Sequence, residues 1–308
     1  MKYLKLIRYQ NLLLLAFMQL IFRYGFLKFQ NIFLSLAEWQ YALLVLSTVL
    51  IAAAGYVIND IMDQDTDNEN KPDNSIVGHV ISEARAYNIY VGLNIIGVGI
   101  GFYLSNVIQK PSFAAIFIVI AATLYLYATS LKQMLLVGNI IVALLLSVSV
   151  LIIGVFDLLP ATFDGNQYEM RVMFSLLIDY AIFTFIINFI REIVKDMEDI
   201  NGDYNQGMST LPIALGLKRT SKVVFVLGLI AIVILLWYIN ENLMASKLYF
   251  AVVYCLLSIV APLIFFIIKM WNANSKKEFR LLSSVLKFVI FFGILSILII
   301  NLNIIYNA

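Results

Sequence analysis

The sequence predicts an all-α, polytopic membrane protein with nine membrane-spanning helices, and three observations carry that expectation. Hydrophobic residues make up 62% of the 308, charged residues only 13%, and the mean hydropathy is +0.92, values foreign to a water-soluble domain of this length. Apolar runs close to the roughly twenty residues needed to cross the hydrocarbon recur along the whole chain. The runs are continuous rather than short and alternating, which excludes the strands of a barrel.

Taken in order, the runs fall at about 11–34, 41–58, 86–107, 113–130, 134–156, 172–190, 222–240, 248–268 and 286–305. Arg23 and Lys28 interrupt the first, so each must snorkel or point into the bundle. Gly97 and Gly101 in the third run stand at the GxxxG spacing that lets helices approach closely. The only cysteine, Cys255, falls in the eighth run, which excludes an intramolecular disulfide and a cysteine metal cluster and reads as packing. Lys2, Lys5 and Arg8 precede the first run with no small-residue cleavage pattern, so that span is expected to remain. No Pro/Gly/Ser-rich linker divides the chain, and residues 1–308 are expected to form a single transmembrane domain.

Orientation follows from the basic residues. With the N-terminus on the cytoplasmic side, sixteen of the 21 fall on that side, and Arg23, Lys28, Lys110, Arg171 and Lys247 fall on the other. The expectation is an integral protein of the cell's inner membrane whose acidic motifs face the cytoplasm. A net charge of +2, with no basic stripe interleaved with aromatics, argues against a nucleic-acid partner.

Two acidic triplets stand out against this apolar background, Asp60/Asp63/Asp67 and Asp196/Asp199/Asp203. Each steps by three and then four, which places all three carboxylates on one face if the backbone is helical. Facing stripes would concentrate negative charge, which divalent cations offset, and Mg²⁺ typically joins one or two carboxylates to substrate phosphates. The pattern therefore predicts a diphosphate site with Mg²⁺. In the first motif Asn59 adds a neutral oxygen to the hard anionic oxygens of Asp60, Asp63 and Asp67. A calcium-binding loop starting at Asp63 is the rival; it lacks the required Gly and Glu, having Asn68 and Asn74 at those positions. In the second motif Arg191 and Lys195 supply cations for the outer oxygens of a metal-bound diphosphate, against the plainer reading of a solvated helix end. Gly78 and Ser82 follow the first motif as Gly207, Thr210 and Pro212 follow the second, which suggests an internal duplication with the second and sixth spans as equivalents. His79, the only histidine, reads as an ordinary surface residue rather than a general base.

Together these motifs resemble those of the UbiA superfamily of intramembrane prenyltransferases, over most of the chain and most closely at 59–82 and 191–216. The resemblance implies nine helices around a central cavity, a polyprenyl diphosphate donor held through Mg²⁺, and a membrane-associated acceptor. It places the metal role on Asn59, Asp63, Asp67, Asp199 and Asp203, with Asp60 and Asp196 in support, and makes Asp63, Asp67, Asp199 and Asp203 the catalytic carboxylates. The family's tyrosine and lysine after the fourth helix look like Tyr127 and Lys132, the lysine as a diphosphate contact. One departure is clear: where family members carry a stretch like KPDRP, this chain has Lys71-Pro72-Asp73-Asn74-Ser75, so Lys71 is left to supply the positive charge.

The second motif, continuing into Thr210-Leu211-Pro212, looks like the branch that makes digeranylgeranylglyceryl phosphate, with a geranylgeranyl donor and a lipid-phosphate acceptor. On that reading Arg8 and Asn11, at the mouth of the first helix, contact the acceptor phosphate. An aromatic quinone precursor is the competing acceptor. A cation transporter would also carry duplicated acidic helices, but its acids belong at mid-span rather than at helix ends. A lipid-binding protein without turnover is the third reading.

Overall fold

The computed structural model describes residues 2–64 and 76–307. The segment 65–75, with Asp67 and Lys71, lies outside the described residues. Among the described residues nine helices are long and apolar enough to cross a membrane: α1 (Tyr9–Gln30), α2 (Glu38–Met62), α3 (Glu83–Val107), α4 (Pro111–Thr129), α5 (Val137–Ala161), α6 (Gln167–Asn205), α7 (Leu217–Met244), α8 (Tyr249–Met270) and α9 (Lys276–Asn307). The protein is an integral membrane protein of all-α class.

Each helix matches an apolar run, and the ends differ where local hydrogen bonding outweighs hydropathy. The first run is expected to reach residue 34, yet α1 stops at Gln30 because Asn31 adopts a left-handed conformation with φ 54. The ninth run starts at 286 by hydropathy, but α9 begins ten residues earlier, at Lys276. Ser275 and Glu278 form a capping box there: the Glu278 carboxylate accepts from the Ser275 N–H at 2.9 Å and the Glu278 N–H donates to Ser275 Oγ at 3.4 Å. α6 runs past the expected end at 190 to Asn205, carrying the whole second triplet on helical backbone.

Lipid tails are as apolar as leucine, so association between spans rests on close packing and interhelical hydrogen bonds. α2 and α3 show both. A Cβ on Gly97 would stand 2.8 Å from Ile51 Cγ1, and Ser47 Oγ donates to the Gly97 carbonyl at 2.7 Å. Gly101, one turn on, faces the Phe117 ring of α4. Across the bundle Gln19 donates to the Ser149 carbonyl at 3.0 Å, and Ser147 to the Ala181 carbonyl at 2.7 Å, tying α1 to α5 and α5 to α6. Cys255 is buried in α8 as a free thiol.

The charge that interrupts α1 points inward. Arg23 pairs with Asp157 at 3.1 Å, with side-chain exposures of 2% and 0%. The same guanidinium lies 4.3 Å over the Tyr41 ring and donates to the Leu36 carbonyl, while Asp157 Oδ1 accepts from the Leu36 N–H at 2.9 Å. The pair thus fastens the α1–α2 connection to α5, at the end of the bundle remote from the acidic triplets.

Candidate functional site

The acidic end of α2 forms one wall. Asp63 caps the helix, its N–H bonding to the Asn59 carbonyl at 2.9 Å, and Asn59 Nδ2 donates to Asp63 Oδ2 at 2.6 Å. The four-residue step from Asn59 to Asp63 places these two on one face. Asp60 turns aside, to Arg8 Nη2 at 3.0 Å, so Asn59 rather than Asp60 accompanies Asp63 in the cavity wall. Opposite stands Lys132, in the 3₁₀ turn Leu131–Gln133 after α4, ion-paired with Asp63. That turn is held by the Ser209 N–H donating to the Gln133 carbonyl at 3.0 Å, which joins it to the segment following α6.

α6 supplies the other wall. Its residues Arg191, Glu192, Lys195, Asp196, Asp199 and Asp203 recur at three- and four-residue steps and all line the same cavity. Lys195 Nζ donates to Glu192 Oε2 at 2.7 Å, and Asn139, from the first turn of α5, donates to Asp196 Oδ2 at 2.7 Å. On the outer flank Arg280 of α9 bonds Glu198 at 2.9 Å. Asp63 of the first triplet and all three carboxylates of the second, far apart in sequence, therefore open into one cavity at one end of the bundle.

A second group of donors sits at the same mouth. Arg8, in a left-handed conformation just before α1, lies 5.1 Å over the Tyr56 ring. Asn11 donates to the Tyr56 hydroxyl at 3.2 Å and accepts from Lys287 Nζ of α9 at 3.1 Å. Arg8, Asn11, Tyr56 and Lys287 all line the cavity.

The cavity measures about 570 Å³, within the range of small-molecule sites, and changes character with depth. Charged groups crowd the mouth; below them Leu15, Met18, Ile51, Phe117 and Leu124 form an apolar wall, with Tyr127 also on the lining. Among the described residues Arg191 Nε and Thr210 Oγ1 are buried without a hydrogen-bond partner, two donors open to an anion. Among the described residues no three acidic, His or Cys side chains stand together as a metal cage. Mg²⁺ needs none: it retains several waters and takes one or two carboxylates plus substrate phosphates, so all-oxygen ligands divided between Asn59/Asp63 and the α6 stripe fit it. His79 is exposed and is absent from the cavity lining.

Sequence reading named Arg8, Asn11, Tyr127, Lys132, Arg191 and Lys195, and all six line the cavity. It gave no site role to Tyr56, Asn139, Thr210 or Lys287. The available signal was polarity out of place: Asn139 and Lys287 each punctuate an apolar stretch, and a polar group inside a span tends to face the bundle interior.

Residues 25–300 match the model of the UbiA prenyltransferase family. A digeranylgeranylglyceryl phosphate synthase from Sulfurisphaera tokodaii is 33% identical over 189 residues, 60% of this chain and 62% of that protein, so the match spans less than two thirds of that relative. One from Korarchaeum cryptofilum is 30% identical over 254 residues, 81% of each chain. Among solved structures, a UbiA homolog from Archaeoglobus fulgidus bound to DMAPP and Mg²⁺ aligns with a TM-score of 0.60 at 15% identity, covering 96% of this chain and 99% of that one, a likeness of fold.

Proposed function

The chain belongs to the UbiA prenyltransferase family, and from that premise we propose that it transfers a geranylgeranyl group from its diphosphate to a hydroxyl of geranylgeranylglyceryl phosphate. One observation carries the choice of acceptor: the mouth of the cavity holds two groups of anion-binding side chains, each knit by its own contacts. Lys132, Arg191 and Lys195 accompany Asp63 and the α6 stripe, while Arg8, Asn11 and Lys287 gather about Tyr56 and one another. Two phosphorylated substrates require two such groups. Three donors from two segments, the start of α1 and α9, suit the several oxygens of a phosphate, with Arg8 able to donate in fork geometry. The synthases among the relatives bear a name consistent with this acceptor.

In this reading Asp63, Asp199 and Asp203, with Asn59 as a neutral ligand, hold Mg²⁺, and the DMAPP and Mg²⁺ bound by the A. fulgidus homolog support that assignment. When bound, Mg²⁺ supplies Lewis-acid neutralisation of the charge that grows on the departing diphosphate. The rest is the work of the chain. Lys132 leaves Asp63 for a phosphate oxygen, and Arg191 Nε and Thr210 Oγ1 gain the acceptor atoms they lack. The apolar wall holds the isoprenoid tail and keeps water from the allylic cation as the C–O bond opens. Tyr127 presents an aromatic ring, favourable to a cation, in that wall. The distribution of basic residues supports a site open to the cytoplasm, in the cell's inner membrane.

The test is product analysis. Purified protein in liposomes receives geranylgeranyl diphosphate, Mg²⁺ and, separately, geranylgeranylglyceryl phosphate, a hydroxybenzoate and a naphthoate. A diether phosphate from the first alone is expected; prenylation of an aromatic acceptor in its place would overturn the acceptor assignment. Metal flux into the liposomes without donor, and no product with any acceptor, would favour a transporter.

A further inference from the structure

An acidic residue lines the cavity well below its mouth, where the reaction has no use for one. Asp179 of α6 lines the deep part of the same cavity and is partly buried. Among the described residues no hydrogen bond or ion pair engages its carboxylate. Tyr238 of α7 lines the cavity within electrostatic range of it and packs edge-on against Phe183 at 5.5 Å. Two neighbouring wall residues, Leu243 and Ile259, lie on π-helical segments, Ile239–Met244 and Leu256–Val260, an irregularity that recurs at functional sites. An ionisable group at such a depth, with no structural partner, marks a functional position by default.

Its placement suggests the function. The stripe that binds the diphosphate runs from Arg191 to Asp203, and Asp179 lies 12 to 17 positions before Arg191 and Asp196, about 18–25 Å along the axis at 1.5 Å per residue. A tail of four isoprene units has about sixteen chain bonds of about 1.5 Å and, in zigzag form, advances about 20 Å. Such a tail fills the apolar wall and stops at the carboxylate. A longer tail must cover Asp179 with hydrocarbon and strip it of water without giving it a partner, which is strongly unfavourable.

We propose that Asp179, with Tyr238 beside it, stands in the path of the tail and sets the length of the prenyl donor by rejecting chains longer than about four isoprene units. This rests on the reading of the site as a prenyl diphosphate site, and it adds a discrimination built by repulsion rather than by fit. Asp179→Leu is expected to raise the ratio of kcat/KM for a six-isoprene diphosphate to that for geranylgeranyl diphosphate by about tenfold or more, mostly through the longer donor. Asp179→Asn, nearly equal in shape and without the charge, is expected to raise it by a smaller factor.

The assay uses the full-length protein in liposomes with both donors and one acceptor. A wild type that uses the two donors equally overturns the proposal, and so does an unchanged ratio in Asp179→Asn, whatever Asp179→Leu does. Activity lost in equal proportion with both donors assigns Asp179 to folding and also overturns it. A wild type inert with every prenyl diphosphate defeats the functional reading itself, a result seen before any variant is compared.

Discussion

Lys132 and Asp63, 69 residues apart in the chain, meet as an ion pair at the mouth of the cavity, with exposures of only 9% and 16%. The lysine occupies the carboxylate that the proposed chemistry assigns to Mg²⁺, so the pair must open for donor to bind. Lys132→Met is therefore expected to lower kcat/KM for the donor by about 100-fold, the typical loss for one preorganised donor to a developing anion. Asp63→Asn is expected to lower transfer at least as far and to shift the Mg²⁺ titration to higher concentration. Initial rates over a grid of donor and metal concentrations check both; a Lys132→Met that impairs only the acceptor would misplace the diphosphate.

Arg23 and Asp157 form the opposite case, an ion pair with no route to substrate. Removing one partner of a buried pair leaves an uncompensated charge and costs about 3–5 kcal/mol. Asp157→Leu should therefore lower the thermal midpoint in detergent markedly, while Arg23→Met/Asp157→Leu together recover much of the loss. Turnover per folded molecule is expected to hold in both, since the pair sits at the far end from the acidic walls.

Why some of this was legible in the sequence and some was not follows from where each feature draws its energy. A span of apolar residues declares itself, because lipid demands it of every residue facing outward, and so all nine runs match helices. The second acidic triplet declares itself too, since Asp196, Asp199 and Asp203 stay in register on α6. Asp60 does not follow its spacing into the cavity, because a tertiary partner, Arg8, draws it away. The start of α9 depended on a capping box that hydropathy does not weigh. Lys287 and Tyr56 acquire meaning only through Asn11, which α1 brings between them, and that contact joins α1 and α2 to α9 at the other end of the chain.

Lys287 offers the cleanest test of the second anion group, because Arg8 also pairs with Asp60. Hydrogen bonds to charged groups are worth about 1.5–3 kcal/mol, so Lys287→Met is expected to raise KM for a phosphorylated acceptor by about tenfold or more. The donor KM should move little. Replacing the acceptor with its dephosphorylated glycerol ether should abolish the difference between wild type and variant; a difference that persists would detach Lys287 from the phosphate.

Gly138 lets the placement of Lys132 be varied without touching the lysine. It lies in the first turn of α5, where a Cβ would approach Lys132 Cα to 2.9 Å and the Tyr127 ring to 3.4 Å. Its nearest obstacle is backbone rather than a flexible side-chain tip, so Gly138→Ala must displace the 3₁₀ turn that carries Lys132. The substitution also favours helix by up to about 1 kcal/mol, which offsets part of the strain. Stability and function are thus expected to separate: a thermal midpoint within a few degrees of wild type, and a donor kcat/KM lower by about tenfold. Gly92→Ala on α3, where a Cβ meets nothing within 4 Å, supplies the matched control and should leave the rate unchanged. A Gly138→Ala protein with wild-type donor kinetics would show that the turn tolerates movement, and would remove close packing of α5 as the means by which Lys132 is aimed at Asp63.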